Sequence, residues 1–184
     1  MNVIKTELPG LLILEPQVFG DERGYFFEVW NRRTFAECGI TCDFVQDNES
    51  KSAFGVLRGL HFQAPPYTQA KLVRVLSGAV LDVALDIRRD SPTFGRHVAV
   101  ELSGENHRQL FIPRGFAHGF AVLSPSAVFA YKCDNLYMPS SERGIAYNDP
   151  ALQIDWHVRP EKFILSAKDR LWPKLADCQL PSFD

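Results

Sequence analysis

The stretch "GAVLDVALDIRRD", residues 78–90, carries the clearest strand pattern in the chain. Its large apolar residues recur at every second position, and small or acidic residues stand between them. Leu81, Val83, Leu85 and Ile87 alternate in this way with Asp82, Ala84 and Asp86. A period of two sends successive side chains to opposite faces of a β-strand, so the pattern predicts a strand here.

The rest of the chain repeats this pattern in shorter pieces. Turns containing Pro or Gly interrupt it at roughly ten-residue intervals, the spacing typical of sandwiches and barrels. Strands are predicted at "YFFEVW", 25–30, and "AVFAYKC", 127–133, and one helix at "NRRTFAECG", 31–39, with Asn31 as N-cap and Gly39 at its end. A second helical turn is predicted near 166–171. We therefore expect one all-β domain over residues 1–184, a jelly roll or barrel with a few short helices and an open mouth.

The composition and the N-terminal sequence limit which binding partners and which cellular compartment we expect for this protein. The net charge is −2, so an anionic ligand must be bound by a local cluster of cations, and we expect no nucleic-acid partner. The N-terminus has no long apolar stretch, so we expect neither a signal peptide nor a membrane segment. The four cysteines are not spaced as a zinc ribbon or a redox pair, and we expect reduced thiols in the cytoplasm.

Several common enzyme motifs are missing from the sequence. There is no G-x-G-x-x-G, no G-x-x-x-x-G-K-[ST], no H-E-x-x-H and no G-x-S-x-G. Dinucleotide redox chemistry, P-loop hydrolysis, zincin proteolysis and α/β-hydrolase chemistry therefore lose their usual sequence support, and no cofactor is expected.

The segment "GVLRGLHFQ", residues 55–63, reads as a buried strand but carries Arg58 and His61. An unpartnered buried charge costs several kcal/mol, so both residues call for a function. Residues three apart point to opposite faces of a regular strand. Either Gly59 marks a bulge that re-aims them, or the two serve different parts of the assembly.

Other polar residues in strand-like segments each have an ordinary structural explanation. A charged turn accounts for Arg23 and Glu28, a plain turn for the run 46–48, an exposed strand end for Lys71, and a helix surface for Lys168 and Asp169. His118 alone would more often be a hydrogen-bonded core residue, and Tyr131 a packed strand residue.

Histidines in a barrel also raise the question of a metal. Cupin metal sites combine H-x-H with a nearby Glu and a later His after a P-x-G turn, and "PRGFAH" fits that last element. His61, however, is followed by Phe62 and Gln63, so the second His of the first element is missing. Two histidines without a third clear ligand make a poor zinc or iron site, and no metal is expected.

Seven segments together resemble the dTDP-4-dehydrorhamnose 3,5-epimerase family. They run in order from about residue 3 to residue 172: "VFGDERGYFFE", "FVQDNES", "VLRGLHFQ", "KLVRVLSGAVLDVALDIRRDSPTFG", "IPRGFAHGFAVLS", "YKC" and "LSAKDR". The resemblance implies a cupin-type jelly roll without a catalytic metal. It also implies a homodimer, and the third step of dTDP-L-rhamnose synthesis on a dTDP-4-keto-6-deoxy sugar.

The resemblance also implies residue roles. His61 matches the proton acceptor, Tyr131 the proton donor, Asp169 the acid that orients the histidine, and Lys71 the cation beside the sugar ketone. Positions matching substrate contacts are Phe19, Arg23, Glu28, Gln46, Asp47, Asn48, Arg58, His118, Glu142 and Lys168. Two departures lie beside Lys71: Ala70 replaces a common Gly, and the loop "APPYT" differs from the polar loop usual there.

The chemistry that this resemblance implies is inversion through an enolate. Carbons 3 and 5 flank the ketone, so their protons are acidic, and the site needs a base, an opposing acid and a cation for the oxyanion. Three other readings stay open from the residues: a single-centre epimerase or 4-keto-sugar isomerase, a non-catalytic sugar-nucleotide or effector-binding cupin, and a metal-dependent cupin oxygenase.

Overall fold

In the computed structural model, which describes residues 1–183, thirteen strands and one α-helix build the protein. Helix α1 is Arg32–Glu37, and three 3₁₀ turns lie at Pro139–Ser141, Pro160–Lys162 and Leu175–Asp177. The strands are β1 Asn2–Lys5, β2 Leu12–Glu15, β3 Phe19–Asp21, β4 Gly24–Phe26, β5 Gln46–Ala53, β6 Leu57–Gln63, β7 Lys71–Ser77, β8 Ala79–Asp86, β9 His97–Ser103, β10 Gln109–Ile112, β11 Phe116–Val122, β12 Ser126–Cys133 and β13 Glu142–Gly144.

The strands form two large antiparallel sheets and a separate hairpin. Six strands are ordered β1-β2-β10-β7-β12-β5, and five are ordered β13-β6-β11-β8-β9. The β3–β4 hairpin stands apart as a two-stranded sheet. Every pairing between named strands in the described part of the chain is antiparallel. The predicted all-β jelly roll is confirmed.

Strand β8 confirms the prediction from residues 78–90, and both of its faces are buried. Val80 and Ala84 face the core between the two sheets. Leu81, Val83 and Leu85 pack on the other face, against residues of the C-terminal segment. The acidic residues of the strand therefore point into the barrel, where hydrogen bonds satisfy them.

The helix prediction is confirmed, and the strand predicted over 25–30 is only partly right. The Asn31 side chain accepts hydrogen bonds from the N–H groups of Arg33 and Thr34, as an N-cap does. The strand ends at Phe26, which lies opposite Phe19, the first residue of its partner strand β3, and the Phe27 ring contacts Tyr25 and His107. The helical turn predicted near 166–171 is a hydrogen-bonded turn over 167–171, with no helix assigned there.

No helix among residues 1–183 is long and apolar enough to cross a membrane.

Candidate active site

A bulge in β6 sends Arg58 and His61 into the same pocket. On the neighbouring strand β11, His118 lies opposite His61 and Phe120 lies opposite Arg58, so three steps on β6 match two on β11. Gly59 has φ +137, a conformation that L side chains rarely adopt, and a Cβ there would meet the backbone of Gly119 at 2.5 Å. The bulge interpretation of "GVLRGLHFQ" is therefore correct.

His61 forms a pair with Asp169 from the turn near the C-terminus. His61 Nε2 lies 2.5 Å from Asp169 Oδ1. The Asp169 side chain is 4% exposed and the His61 side chain 24% exposed, so one face of the imidazole reaches the pocket. Burial raises the pKa of Asp169, but hydrogen bonds from His61 and Ser166 outweigh it and hold that pKa below its usual value. The carboxyl is thus ionised at neutral pH and acts as an acceptor.

Tyr131 and Lys71 enter the same pocket from the opposite sheet. They lie on the neighbouring strands β12 and β7, with the Lys71 ammonium 5.9 Å from the centre of the Tyr131 ring. Burial raises the pKa of Tyr131, which keeps its hydroxyl protonated. Burial lowers the pKa of Lys71, while the thiol of Cys133 and the carboxylates of Asp82 and Glu142 act in the opposite direction.

The pocket has a volume of about 420 Å³, and most of the residues that line it have polar side chains. The lining residues are Gln46, Asn48, Arg58, His61, Phe62, Gln63, Gln69, Lys71, Tyr131, Cys133, Tyr137, Glu142, Ser166, Lys168 and Asp169. Arg58 donates to Ser52 Oγ through Nε and Nη2, at 3.3 and 3.1 Å. Lys168 Nζ bonds Glu142 Oε2 at 2.6 Å. The basic side chains of Arg58, Lys71 and Lys168 outnumber the two carboxylates of the pocket, which suits an anionic ligand.

Nine of the predicted site residues line this pocket, and five do not. Asp47 points to the outer face of its sheet, where it pairs with Lys132 at 2.6 Å, because Gln46 and Asn48 take the inward positions of β5. His118 is buried inside the barrel, with Nε2 2.9 Å from Asp82 Oδ2. This is the hydrogen-bonded core arrangement, and His118 is not among the lining residues.

Three other predicted contacts lie outside this pocket, on or just after the β3–β4 hairpin. Phe19 and Arg23 border a different, exposed depression, and Arg23 pairs with Asp21. Glu28 is exposed and accepts hydrogen bonds from Asn31 and Thr34 at the start of α1. Within one chain these three side chains do not meet His61.

Sequence reasoning missed six lining residues, Phe62, Gln63, Gln69, Cys133, Tyr137 and Ser166, and three of these make hydrogen bonds that shape the site. Tyr137, in the loop after β12, donates its hydroxyl to Glu142 at 2.9 Å. Gln63 binds three main-chain groups of the loops around Tyr67 and Tyr137, the closest at 2.6 Å. Ser166 bonds Asp169, and the spacing S-x-x-D in "SAKD" is a capping-box signature that could have pointed to it.

Ala70 stands where the family commonly has Gly, and with this Ala the Lys71 side chain still lines the pocket. The Ala70 N–H donates to Asp134 Oδ1 at 2.7 Å, and its carbonyl accepts from the Asp134 N–H at 3.2 Å. This pair of bonds holds the chain just before β7, and the methyl group of Ala70 packs in the buried cluster under α1.

The donor set of the pocket does not fit a metal. Among residues 1–183, no three His, Cys, Asp or Glu side chains are grouped as metal ligands. His61 and His118 each bond a carboxylate through Nε2. Gln63, at the place of the missing second His, uses both its amide nitrogen and its amide oxygen on main-chain groups.

A jelly roll whose mouth holds a His–Asp pair, a phenol and an ammonium is a cupin-type enzyme scaffold. Comparison with known proteins gives the family. A family model described as dTDP-4-dehydrorhamnose 3,5-epimerase matches residues 5–177. The chain belongs to this family of isomerases.

Individual relatives agree with the family model. The dTDP-4-dehydrorhamnose 3,5-epimerase of Shigella flexneri is 57% identical over 178 residues, which are 96% of this chain and 97% of the relative. The dTDP-6-deoxy-D-glucose-3,5-epimerase of Legionella pneumophila Philadelphia 1, solved with dTDP-4-keto-L-rhamnose, has a TM-score of 0.95 at 53% identity and covers 100% and 98% of the two chains. The dTDP-4-dehydrorhamnose 3,5-epimerase of Elizabethkingia anophelis NUHP1 has a TM-score of 0.92 at 53% identity, with 96% and 97% covered.

Proposed function

We propose that this protein is a dTDP-4-dehydrorhamnose 3,5-epimerase. It inverts carbons 3 and 5 of dTDP-4-keto-6-deoxy-D-glucose and gives dTDP-4-keto-L-rhamnose. The observation that carries this proposal is the single pocket in which the His61–Asp169 pair lies with Tyr131 and Lys71. A binding module needs neither an acid nor a base, so the convergence of these groups favours an enzyme.

His61 is the base in this proposal. Its Nε2 faces the ionised carboxylate of Asp169, so in the neutral ring Nε2 carries the proton and Nδ1 carries the lone pair. Nδ1 removes the proton from carbon 3 or carbon 5, and the carboxylate stabilises the imidazolium that results. Because both carbons flank the ketone, each proton removal gives an enolate.

Tyr131 and Lys71 complete the inversion. The Lys71 ammonium stabilises the developing oxygen anion at carbon 4, as preorganised charges do in enolate-forming sites. The protonated phenol of Tyr131, on the opposite sheet from His61, delivers a proton to the other face of the sugar. Proton removal on one face and delivery on the other inverts the carbon.

The nucleoside diphosphate is bound by the outer part of the pocket. The guanidinium of Arg58 offers a planar pair of donors for phosphate oxygens, and Ser52 holds it in place. Lys168 adds a second cation near the mouth. The amides of Gln46 and Asn48 bond each other at 3.0 Å and offer neutral polar contacts.

We also propose that the protein acts as a homodimer. The β3–β4 hairpin exposes a large apolar surface, with Phe19 55%, Tyr25 62% and Phe26 71% exposed. If the hairpin covers the pocket of a second copy, then Phe19, Arg23 and Glu28 reach the substrate there, as the family resemblance implies. Arg23→Ala should then lower activity, and mixing it with His61→Asn should restore part of it, because mixed dimers keep one complete site.

The experiment that tests the mechanism separates Tyr131 from His61 in deuterated water. Tyr131→Phe keeps the ring and its packing and removes only the hydroxyl. His61 still forms the enolate and can return a proton to the same face, so the substrate should gain deuterium with its configuration retained. Inverted product should fall much further than exchange.

One control variant and two contradicting outcomes complete this experiment. His61→Asn should abolish both exchange and inversion, because no base remains. If Tyr131→Phe inverts at the wild-type rate, another group is the acid and the assignment of the two faces is wrong. Label at one carbon only in the wild type would identify a single-centre epimerase.

A further inference from the structure

The carboxylate of Asp169 is held from two sides. Oδ1 faces His61 Nε2 at 2.5 Å, and Oδ2 accepts a hydrogen bond from the Ser166 hydroxyl at 2.7 Å. With a side chain only 4% exposed, Asp169 has little access to water that could replace any of these donors.

Two hydrogen bonds between Ser166 and Asp169 hold the Ser166 hydroxyl in place. Its oxygen accepts the N–H of Asp169 at 3.1 Å, while its proton goes to Asp169 Oδ2. A hydroxyl has one proton, so this arrangement uses its donor completely. The terminal torsion of an aspartate is broad when nothing holds it, and Ser166 is the side chain that bonds the second carboxylate oxygen.

The other side of the imidazole is held by an aromatic ring. Trp172 lies edge-on to His61, with ring centres 6.0 Å apart and an interplanar angle of 72°. Gly144 makes room for this indole, because a Cβ there would meet it at 2.5 Å. The orientation of His61 therefore depends on Trp172 at one side and on the Asp169 carboxylate at another.

We propose that Ser166 is a positioning residue, which orients the Asp169 carboxylate so that His61 keeps its proton on Nε2 and its lone pair on Nδ1. This proposal rests on the proposed function. Ser166 acts through Asp169 and not on the substrate. Without the hydroxyl, the carboxylate can rotate away from Nε2, and a fraction of the His61 rings adopts the tautomer or rotamer that cannot accept the substrate proton.

The expected effect is smaller than the loss of the carboxylate itself. Losing the Asp of a His–Asp pair costs about 10⁴ in kcat, whereas losing a group that only orients a functional side chain costs about 10- to 100-fold. We expect Ser166→Ala to lower kcat by about 10- to 100-fold. The KM and the affinity for dTDP should not change, because the hydroxyl is committed to Asp169.

The test compares Ser166→Ala with Ser166→Thr and with Ser140→Ala, which removes an exposed serine hydroxyl outside the pocket. Each variant is assayed for kcat, KM and dTDP affinity, and the ring N–H proton of His61 is followed by NMR. In Ser166→Ala this proton should move upfield and exchange faster with water. Ser166→Thr keeps a hydroxyl and should restore both the signal and most of kcat, and Ser140→Ala should match the wild type.

Three results would overturn the positioning role. An unchanged kcat or an unchanged His61 proton in Ser166→Ala would show that the hydroxyl does not orient the pair. Loss of dTDP affinity together with kcat would show that Ser166 merely folds the turn that carries Lys168.

A different result separates the positioning role from the proposed function. If the wild type does not convert the sugar nucleotide but the His61 proton responds to Ser166→Ala, the proposed function fails and the positioning role stands.

Discussion

Replacing Lys71 with Met should lower activity without lowering stability. Burial lowers the pKa of the Lys71 ammonium in the folded protein, with the thiol of Cys133 and the carboxylates of Asp82 and Glu142 opposing that shift. A folded-state pKa below the unfolded value of about 10.4 means that folding disfavours the charged form. The penalty is complete below the folded pKa and disappears above the unfolded pKa, so it is present at neutral pH.

The size of the activity change follows from the role of the ammonium. Loss of one group that stabilises an oxyanion costs about 10² to 10³ in kcat, or ~2.7–4 kcal/mol. Methionine is unbranched and flexible and fills a similar space, so the wall of the pocket stays closed. Removing the desolvation penalty should leave the melting temperature unchanged or raise it, by roughly 2–4 °C for each kcal/mol relieved in a chain of this size.

The assay measures kcat on the 4-keto sugar nucleotide and the melting temperature at pH 7, for Lys71→Met and for Lys51→Met. Lys51 is an exposed lysine on the outward face of β5, so its loss removes the same charge without touching the pocket. Lys71→Met should lose activity without losing stability, and Lys51→Met should change neither. A Lys71→Met protein with wild-type kcat, or one that melts well below the wild type, would refute the reasoning.

Three further substitutions have defined outcomes. His61→Asn should lower kcat by about 10² to 10⁴ while the circular dichroism spectrum stays the same, and near-normal turnover would exclude His61 as the base. Arg58→Lys should raise KM and leave kcat nearly unchanged, since an ammonium cannot make a planar two-point contact with phosphate, and an unchanged KM would leave Arg58 a structural role. Burial raises the pKa of Asp86, but hydrogen bonds from Arg88 and two hydroxyls outweigh burial and lower that pKa to about 2. The stabilising effect of the Asp86 carboxylate is therefore present above the unfolded pKa and is lost as pH falls through the folded pKa. Asp86→Asn should therefore lower the free energy of unfolding at pH 7 by about 2 kcal/mol, with a difference that shrinks towards pH 2, and denaturant unfolding at both pH values checks this.

The fold could be read from local patterns because each pattern has a local physical cause. The alternation at 78–90 and the turn residues around it predicted β8, and Asn31 predicted the start of α1. The strand predicted over 25–30 was too long, because its partner strand β3 begins at Phe19, which lies opposite Phe26. Nothing in residues 25–30 themselves shows where that partner strand begins.

The site depends on contacts between distant parts of the chain. His61 and Asp169 are 108 positions apart, and no spacing rule brings them together without the fold. The sequence left two explanations for Arg58 and His61, and only the pairing of β6 with β11 decides for the bulge. His118 lies directly opposite His61 on the neighbouring strand, yet its side chain is buried in the barrel against Asp82, and the sequence does not give that difference in depth.

The most direct test of the account is the position of deuterium in the product. The wild-type enzyme is incubated with dTDP-4-keto-6-deoxy-D-glucose in deuterated water, and the product is analysed by mass spectrometry and NMR. Removal of a proton from each carbon that flanks the ketone, followed by delivery from solvent to the other face, predicts deuterium at both carbon 3 and carbon 5 with both centres inverted. Inverted product without deuterium, or with deuterium and inversion at one carbon only, would contradict the account.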